Sequence, residues 1–405
     1  MNADPIRFVA LLAVAMVVAI VTRRLSQPYT VGLVLVGVII ALTPINLGGG
    51  LTHDFIFYVI LPPLLFEAAL VLNGRELWEN AGVILVLATI GTLIAAAAVA
   101  AGMVLVLHWP LPAALIFGCL IAATDPVAVI AMFKDNGVKG RLRTLMEAES
   151  LFNDAAAAVI FSVAVGFAMS GHLGAPLELA QELFYEVGGG AAIGAAVGAG
   201  SIFIAGRSRE HVVEVAITVL AAYGSFLLAD QLHASGILAT VTAGLVIGSI
   251  GVRAEHSTIT HKGKEFATEF WDFGAFLANS AVFPLIGVAV GAMSLTSFGA
   301  LTIASAVAIV LVARAMTIYP LSLLFAANKQ RVPAAFQHVL WWGGLRGALG
   351  LALALSLPPT LPFREQIVLT TFGVVAFSIV VQGLSMPWLL KRLGLVAAAP
   401  ATATE

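Results

Sequence analysis

Long apolar runs alternate with short polar segments over the whole chain. A membrane-spanning helix needs about 17 to 25 apolar residues, and on this basis the pattern predicts thirteen spans, at residues 6–22, 29–45, 54–72, 81–107, 111–133, 144–169, 179–205, 211–231, 235–251, 265–291, 297–326, 334–357 and 364–390. We therefore expect an all-α polytopic membrane protein with about 13 transmembrane helices. The first run lacks a small-residue cleavage signature, so we interpret it as a retained span.

Composition supports this interpretation, because the 405 residues are 60% hydrophobic and only 10% charged, whereas soluble domains carry roughly 25% charged residues. No long hydrophilic block interrupts the pattern, which leaves no room for a soluble catalytic domain or a nucleic-acid-binding domain. The net charge of −2 says nothing about partners. A single cysteine, Cys119, excludes an intramolecular disulfide framework and a thiolate metal cluster. We expect one membrane domain over 1–405, without nucleic acid as a partner.

The basic residues predict the orientation, because cytoplasmic loops carry an excess of lysine and arginine. Arg7 and Arg364 fall on one side of the predicted membrane, and Arg314 and Arg346 lie within spans. The remaining 16 of the 20 basic residues fall on the other side, and these are Arg23, Arg24, Arg75, Lys134, Lys139, Arg141, Arg143, Arg207, Arg209, Arg253, Lys262, Lys264, Lys329, Arg331, Lys391 and Arg392. The N-terminus is thus predicted outside and the C-terminus in the cytoplasm.

Two predicted spans are interrupted by residues that break helices. The fifth contains "AATDPVAV", in which Pro126 lacks a backbone donor, and the twelfth contains the glycines of "WWGGLRGALG". These spans run antiparallel, and breaks at corresponding places in two halves point to a transport site near the middle of the membrane. From these two breaks we predict that the chain consists of four parts. They are a first inverted six-helix repeat at 1–170, a linking helix at 179–205, a second inverted six-helix repeat at 211–393 and a short cytoplasmic tail at 394–405.

Ionisable residues inside a bilayer cost roughly 2.5 to 3.5 kcal/mol each and are functional candidates by default. Asp125 lies at the break of the fifth span, and Asp154 lies near the middle of the sixth. Carboxylates, a hydroxyl and the free carbonyls of a broken helix together form an oxygen site suited to a small cation. Helical spacing stacks Ser150 with Asp154, and we expect this stripe to face Asp125 and coordinate the ion.

A neighbouring stripe of the same helix carries Glu149 and Asn153, about 100° away. We expect this stripe to face another helix, with Arg346 as the partner of Glu149, because an unpaired buried guanidinium is costly. Arg314 is either a helix-packing ion-pair partner or a side chain that reaches the membrane surface.

Other polar residues are weaker candidates. Glu67 in the third span is either a buried carboxylate or one that reaches water, and Asp272 and Asp230 lie nearer span ends, as expected of solvated or structural residues. No histidine pair has metal-ligand spacing on one helix face, so no transition-metal site is predicted. The glycine-rich seventh span is typical of close helix packing.

Five motifs follow one another along nearly the whole chain: "TDPVAV" at 124–129, "ESLFND" at 149–154, "LHASGILATVTAGLVIG" at 232–248, "FWDFGAFLANS" at 270–280 and "GGLRGALGLALAL" at 343–355. With them the chain resembles NhaP-type sodium/proton antiporters of the monovalent cation:proton antiporter-1 family. The resemblance implies crossed discontinuous helices formed by the fifth and twelfth spans, a scaffold that forms a homodimer, and exchange of Na⁺ or Li⁺ for H⁺ without a cofactor. It further implies a multi-pass protein of the bacterial inner membrane in contact with lipid.

The resemblance also assigns roles to residues. Asp154 matches the centre that binds the ion and the proton, with Asn153 before it in the order typical of electroneutral members. Further ion-site positions match Asp125, Ser150, the backbone of Thr124 and, less closely, Glu67. Glu149 and Arg346 match a structural ion pair. The alanines after Asp154, where relatives often have glycine, depart from the family pattern.

We expect alternating access, with cation and proton competing at Asp154 and Asp125. Within the family, K⁺/H⁺ exchange is the alternative to Na⁺/H⁺ exchange, and a cation channel is chemically close. An intramembrane aspartyl protease is the alternative of another class, because two aspartates on adjacent helices can activate water. However, the second broken helix with Arg346 has no use in a protease.

Overall fold

The computed structural model describes residues 5–24, 28–43, 52–125, 127–135, 137–172, 175–208, 210–253, 259–291 and 299–396, and every regular element in these ranges is helical. The apolar runs form helices because a helix satisfies all its backbone hydrogen bonds internally, which is necessary where no water is present. Pro126, predicted to break the fifth span, lies outside the described residues, as do Arg209 and residues 397–405 of the predicted tail.

The first nine helices carry the first half of the fold. They are α1 (Pro5–Arg24), α2 (Tyr29–Ala41), α3 (Leu61–Val71), α4 (Gly74–Glu79), α5 (Ala81–Ala88), α6 (Ile90–Leu107), α7 (Leu111–Ala122), α8 (Val127–Asp135) and α9 (Arg141–Ser170). A π-helical segment, Phe55–Ile60, runs directly into α3, and this irregularity left no signal in the apolar pattern. The short helix α4 was not predicted either, because it lies in a polar segment between spans.

The remaining helices are α10 (Pro176–Ala205), α11 (His211–Gln231), α12 (Gly236–Val246), α13 (His261–Gly291), α14 (Ala300–Leu323), α15 (Ala334–Trp342), α16 (Ala348–Ser356), α17 (Arg364–Phe377) and α18 (Gly383–Arg392). Two further π-helical segments, Ile247–Val252 and Ser378–Gln382, continue α12 and join α17 to α18. Seven of the described helical segments are long and apolar enough to cross a membrane by themselves. Within the described ranges, each predicted span contains one helix or consecutive helical pieces, although several ends differ by a few residues.

Small residues allow pairs of these helices to approach closely. A side chain at Gly37 of α2 would overlap the backbone of Pro284 in α13, and one at Gly194 of α10 would overlap the backbone of Ala239 in α12. The close packing predicted for the glycine-rich seventh span is therefore confirmed at Gly194.

The two predicted helix breaks meet inside the bundle. The first separates α7 from α8 after Ala122, and the second separates α15 from α16 at residues 343–347. The backbone N–H of Asp125 in the first break donates to the carbonyl oxygen of Leu345 in the second, at 2.7 Å. Because this bond connects irregular backbone of two different spans, it fixes one break directly against the other.

Candidate functional site

The first helix break is held against the middle of α9 through Thr124. The Ser150 hydroxyl donates to the Thr124 carbonyl oxygen at 2.5 Å and accepts from the Thr124 hydroxyl at 3.2 Å. The Asn153 Oδ1 atom accepts from the Thr124 N–H at 3.1 Å, while its Nδ2 donates to the Thr124 hydroxyl at 2.8 Å. Adjacent turns of α9 thus satisfy the backbone that the break leaves without helical partners.

Asp125 is held by both breaks. Its Oδ1 atom accepts a hydrogen bond from the Val127 N–H at 2.9 Å, at the start of α8. Gly347, at the start of α16, lies so close that an added Cβ atom would overlap the Asp125 carboxylate. The carboxylate therefore lies near the N-terminal ends of two half-helices, where the helix dipole stabilises negative charge.

Asp154 lies one turn beyond Ser150 on α9, and its Oδ1 atom is buried without a hydrogen-bond donor among the described residues. Its side chain lines a cavity of about 530 Å³, together with Thr124, Asp125, Ser150 and Glu67. Buried carboxylate oxygens normally have a partner. A carboxylate with such an oxygen, on a side chain that lines a cavity together with other oxygen-bearing residues, is suited to bind a cation or to carry a proton.

The cavity extends from Asp154 towards the N-terminal end of α9, where Glu147 and Arg143 line it. The facing wall is α13, which contributes Glu269 and Asp272. Asp272, expected to be solvated or structural, therefore belongs to the wall of this cavity. Its spacing of three residues from Glu269 places both carboxylates on one face of α13, and this signal was present in the sequence.

The predicted pairing of Glu149 with Arg346 is wrong. The guanidinium of Arg314 in α14 donates to both carboxylate oxygens of Glu149, at 2.8 and 3.0 Å, and both side chains are buried. A further bond of 3.3 Å joins Asn153 Nδ2 to Glu149. Two arginines were candidates for one carboxylate, and the sequence does not specify which of their helices packs against the Glu149 face of α9.

Arg346 has a different environment in the second break. Its guanidinium is buried and donates to the carbonyl oxygens of Ala122 and Ala123, at 3.0 and 3.1 Å. Its backbone N–H donates to the hydroxyl of Ser378 at 3.0 Å. Because these carbonyls are at the C-terminal end of α7, Arg346 places a positive charge where the helix dipole is negative.

The predicted site residues thus fall into two groups. Those that line the cavity are Thr124, Asp125, Ser150, Asp154 and Glu67. Glu149, Asn153 and Arg346 are almost fully buried behind it. Asp230 lies elsewhere and accepts a hydrogen bond from Tyr58 at 3.1 Å. Sequence reasoning missed Asn279 and Tyr29, which also line the cavity.

Comparisons with known proteins agree with this architecture. Residues 11–392 match the family model described as "Sodium/hydrogen exchanger, transmembrane". The Na⁺/H⁺ antiporter ApNhaP of Aphanothece halophytica is 38% identical over 395 residues, which cover 96% of this chain and 75% of ApNhaP. The Na⁺/H⁺ antiporter NhaH of Halobacillus aidingensis is 35% identical over 406 residues, which cover 96% of this chain and 98% of NhaH.

A solved structure is similar over nearly the same length. The sodium proton antiporter MjNhaP1 from Methanocaldococcus jannaschii, at pH 8, aligns with a TM-score of 0.74 and 22% sequence identity. The alignment covers 96% of this chain and 98% of MjNhaP1. This likeness confirms the predicted polytopic helical fold.

Proposed function

The chain belongs to the sodium/hydrogen exchanger family, and we propose that it exchanges Na⁺ or Li⁺ for H⁺ across the membrane at one site centred on Asp154. The observation that carries this proposal is the Asp154 Oδ1 atom, which has no donor among the described residues although it is buried beside a cavity. A carboxylate there is costly unless it binds a cation or a proton. The family consists of transporters, so the protease alternative loses its support.

The proposed ligands are oxygen atoms of residues that line the cavity around Asp154. They are the carboxylates of Asp154 and Asp125, the Ser150 hydroxyl and the Thr124 carbonyl, with Glu67 as a further carboxylate. Such oxygen atoms suit a small hard cation. The Ser150 hydroxyl donates to the Thr124 carbonyl, and each of the two oxygen atoms keeps a lone pair with which it can bind the ion.

Competition at this site would couple the two fluxes. A bound cation lowers the proton affinity of Asp154 and Asp125, and protonation removes the negative charge that attracts the cation. If both loaded forms cross and the empty charged form does not, each cation moved in one direction is matched by protons moved in the other. We infer electroneutral exchange, because the position before Asp154 is occupied by Asn153, whose amide is bound to Thr124 and Glu149.

Alternating access is supported by the two walls of the cavity. One wall is α9, which is attached to both breaks, and the opposite wall is α13, which packs against α2 and α3. We propose that the bundle carrying the breaks moves as a body against this second group of helices. The cavity extends towards the helix ends joined by the basic loops, so in the predicted orientation it leads to the cytoplasm.

The remaining proposals concern the assembly. We propose a homodimer in the bacterial inner membrane, in contact with lipid, with the N-terminus outside. The surface of α10 supports a membrane or dimer contact, because Leu177 and Phe184 on it are 70% and 80% exposed. The division into inverted repeats at 1–170 and 211–393 stays a prediction.

The test is an exchange assay in proteoliposomes with an imposed pH gradient. Sodium, lithium or potassium is added, and dissipation of the gradient is followed with a pH-sensitive dye. We expect dissipation by Na⁺ or Li⁺. Dissipation by K⁺ alone would assign the chain to K⁺/H⁺ exchange, and no response to any of the three cations would contradict the proposal.

A further inference from the structure

Four polar residues lie on one face of α9 at successive turns: Arg143, Glu147, Ser150 and Asp154. Their spacing of four, three and four residues keeps them in line along the helix. All four line the cavity, and at 1.5 Å per residue Arg143 lies about 16 Å from Asp154 along the helix axis. A cation that enters the cavity at the N-terminal end of α9 therefore passes Arg143 and Glu147 before it reaches Asp154.

Arg143 and Glu147 form an ion pair in the cavity wall. The Arg143 Nε atom donates to Glu147 Oε1 at 2.7 Å, with the Arg143 side chain 33% exposed and that of Glu147 9% exposed. The carboxylate is thus nearly buried, whereas its counterion reaches the open part of the cavity. Because the guanidinium carries the same charge as the transported ion, the two cations compete for one carboxylate.

Other charged residues lie near this pair. Arg253 also acts on Glu147 electrostatically, but its guanidinium donates to the carbonyl oxygens of Leu70 and Leu72 at the end of α3. It is therefore fixed in place. Glu76 acts on Glu147 electrostatically as a like charge. Glu269 and Asp272 line the same cavity from α13, so the cavity holds further carboxylates for a released guanidinium.

We propose that the Arg143–Glu147 pair is a gate at the mouth of the cavity, in which Glu147 receives the incoming cation and Arg143 is the resident cation that it displaces. This inference rests on the proposed function and deepens it by naming residues that set the apparent affinity from one side of the membrane. The pair does not coordinate the ion at Asp154, and so it changes cation entry without changing the exchange step.

The experiment measures the apparent KM for Na⁺ in inside-out membrane vesicles at alkaline pH, where carboxylates are ionised. Arg143→Gln leaves the Glu147 carboxylate free and lowers KM by about tenfold, the lower limit for focusing of ions in a charged cleft. Glu147→Gln leaves the guanidinium without its carboxylate and raises KM. The double variant returns KM towards the wild-type value, because neither charge remains. Arg143→Lys retains the charge and keeps KM near the wild-type value.

Arg75→Gln is the matched control. Arg75 and Glu79 form an ion pair of the same spacing on the same predicted side of the membrane, but their side chains are 89% and 61% exposed and outside the cavity wall. This variant should leave KM unchanged. Vmax should stay near the wild-type value in all five variants, which a loss of folded protein would not allow.

The outcomes separate the gate from the transport function. No exchange by the wild-type protein would contradict the proposed function. Exchange by the wild type together with an unchanged KM in Arg143→Gln would contradict the gate alone, as would a shift of KM in the same direction for Arg143→Gln and Glu147→Gln. A KM of the double variant as low as that of Arg143→Gln would also contradict it, because the gain in affinity would then not depend on the Glu147 carboxylate.

Discussion

The two helix breaks contact each other inside the bundle but have opposite chemistry. The first presents oxygen atoms to the cavity, from Thr124 and Asp125. The second contains the buried guanidinium of Arg346 and three glycines. Each break places a charge at the end of a half-helix that belongs to the other span. Arg346 donates to the carbonyl oxygens at the C-terminal end of α7, and the Asp125 carboxylate lies against the N-terminal end of α16. This difference supports the proposal that the first break contributes to the cation site and that the second stabilises the first.

The largest effect is expected from Asp154→Asn. This change removes the negative charge and the proton-binding group of Asp154 in the cavity, so exchange should be abolished while the protein stays folded. An exchange assay in proteoliposomes checks the loss of exchange, and size-exclusion chromatography checks that the protein stays folded. Asp230→Asn is the matched control, because Asp230 binds Tyr58 away from the cavity, and it should retain exchange. Wild-type exchange by Asp154→Asn would contradict a site centred on Asp154.

Removal of Arg314 should have the next largest effect, and on stability before activity. Arg314→Ala leaves the buried Glu149 carboxylate without its bidentate partner, which costs about 3 to 5 kcal/mol. Arg346→Ala removes hydrogen bonds to two carbonyl oxygens but leaves no carboxylate without its hydrogen-bond partner. It should therefore lower the free energy of unfolding by less than Arg314→Ala does. Thermal unfolding in detergent gives the comparison. Lower stability for Arg346→Ala than for Arg314→Ala would restore Arg346 as the main structural partner.

Gly347→Ala tests the contact between the breaks. The added Cβ atom overlaps the Asp125 carboxylate, so the carboxylate has to move, and exchange should fall by about tenfold to a hundredfold. Gly224→Ala is the control, because a Cβ atom at Gly224 meets no other atom within 4 Å. Equal exchange rates in the two variants would show that the position of Asp125 does not matter.

Asn153→Asp should have the smallest effect on rate but should change the charge balance. A second carboxylate beside Asp154 can carry a second proton, so exchange should become sensitive to membrane potential. The new carboxylate also loses the amide bonds to Thr124 and Glu149, which predicts a modest loss of rate. The expectation is checked by measuring exchange with the membrane potential clamped by valinomycin and potassium. Exchange that stays insensitive to potential would show that this position alone does not set the stoichiometry.

The spans and both breaks could be predicted from sequence because their signals are local. Apolar length predicts a crossing, and proline or glycine within it predicts an interruption. Helical spacing also predicted that Ser150 and Asp154 share a face, and both line the cavity with Asp125. In contrast, the π-helical segments, such as Phe55–Ile60, depend on packing and were not predicted.

The error at the site concerns a contact between distant spans. Glu149 binds Arg314 and not Arg346, and only the folded bundle shows which span brings its arginine to α9. Asp272, expected to be solvated or structural, is exposed and lines the cavity from α13, which agrees with that expectation. Helical periodicity tells which residues share a face of one helix, but not which helix that face meets.

The most direct test of the account is the dependence of the apparent KM for Na⁺ on pH, measured in proteoliposomes with the wild-type protein. If one cation and one proton compete for the Asp154 site, KM should rise by about tenfold per pH unit below the apparent pKa, while Vmax at saturating Na⁺ stays constant. A fall in Vmax with an unchanged KM would mean that the proton acts at a different site, and would contradict the central claim.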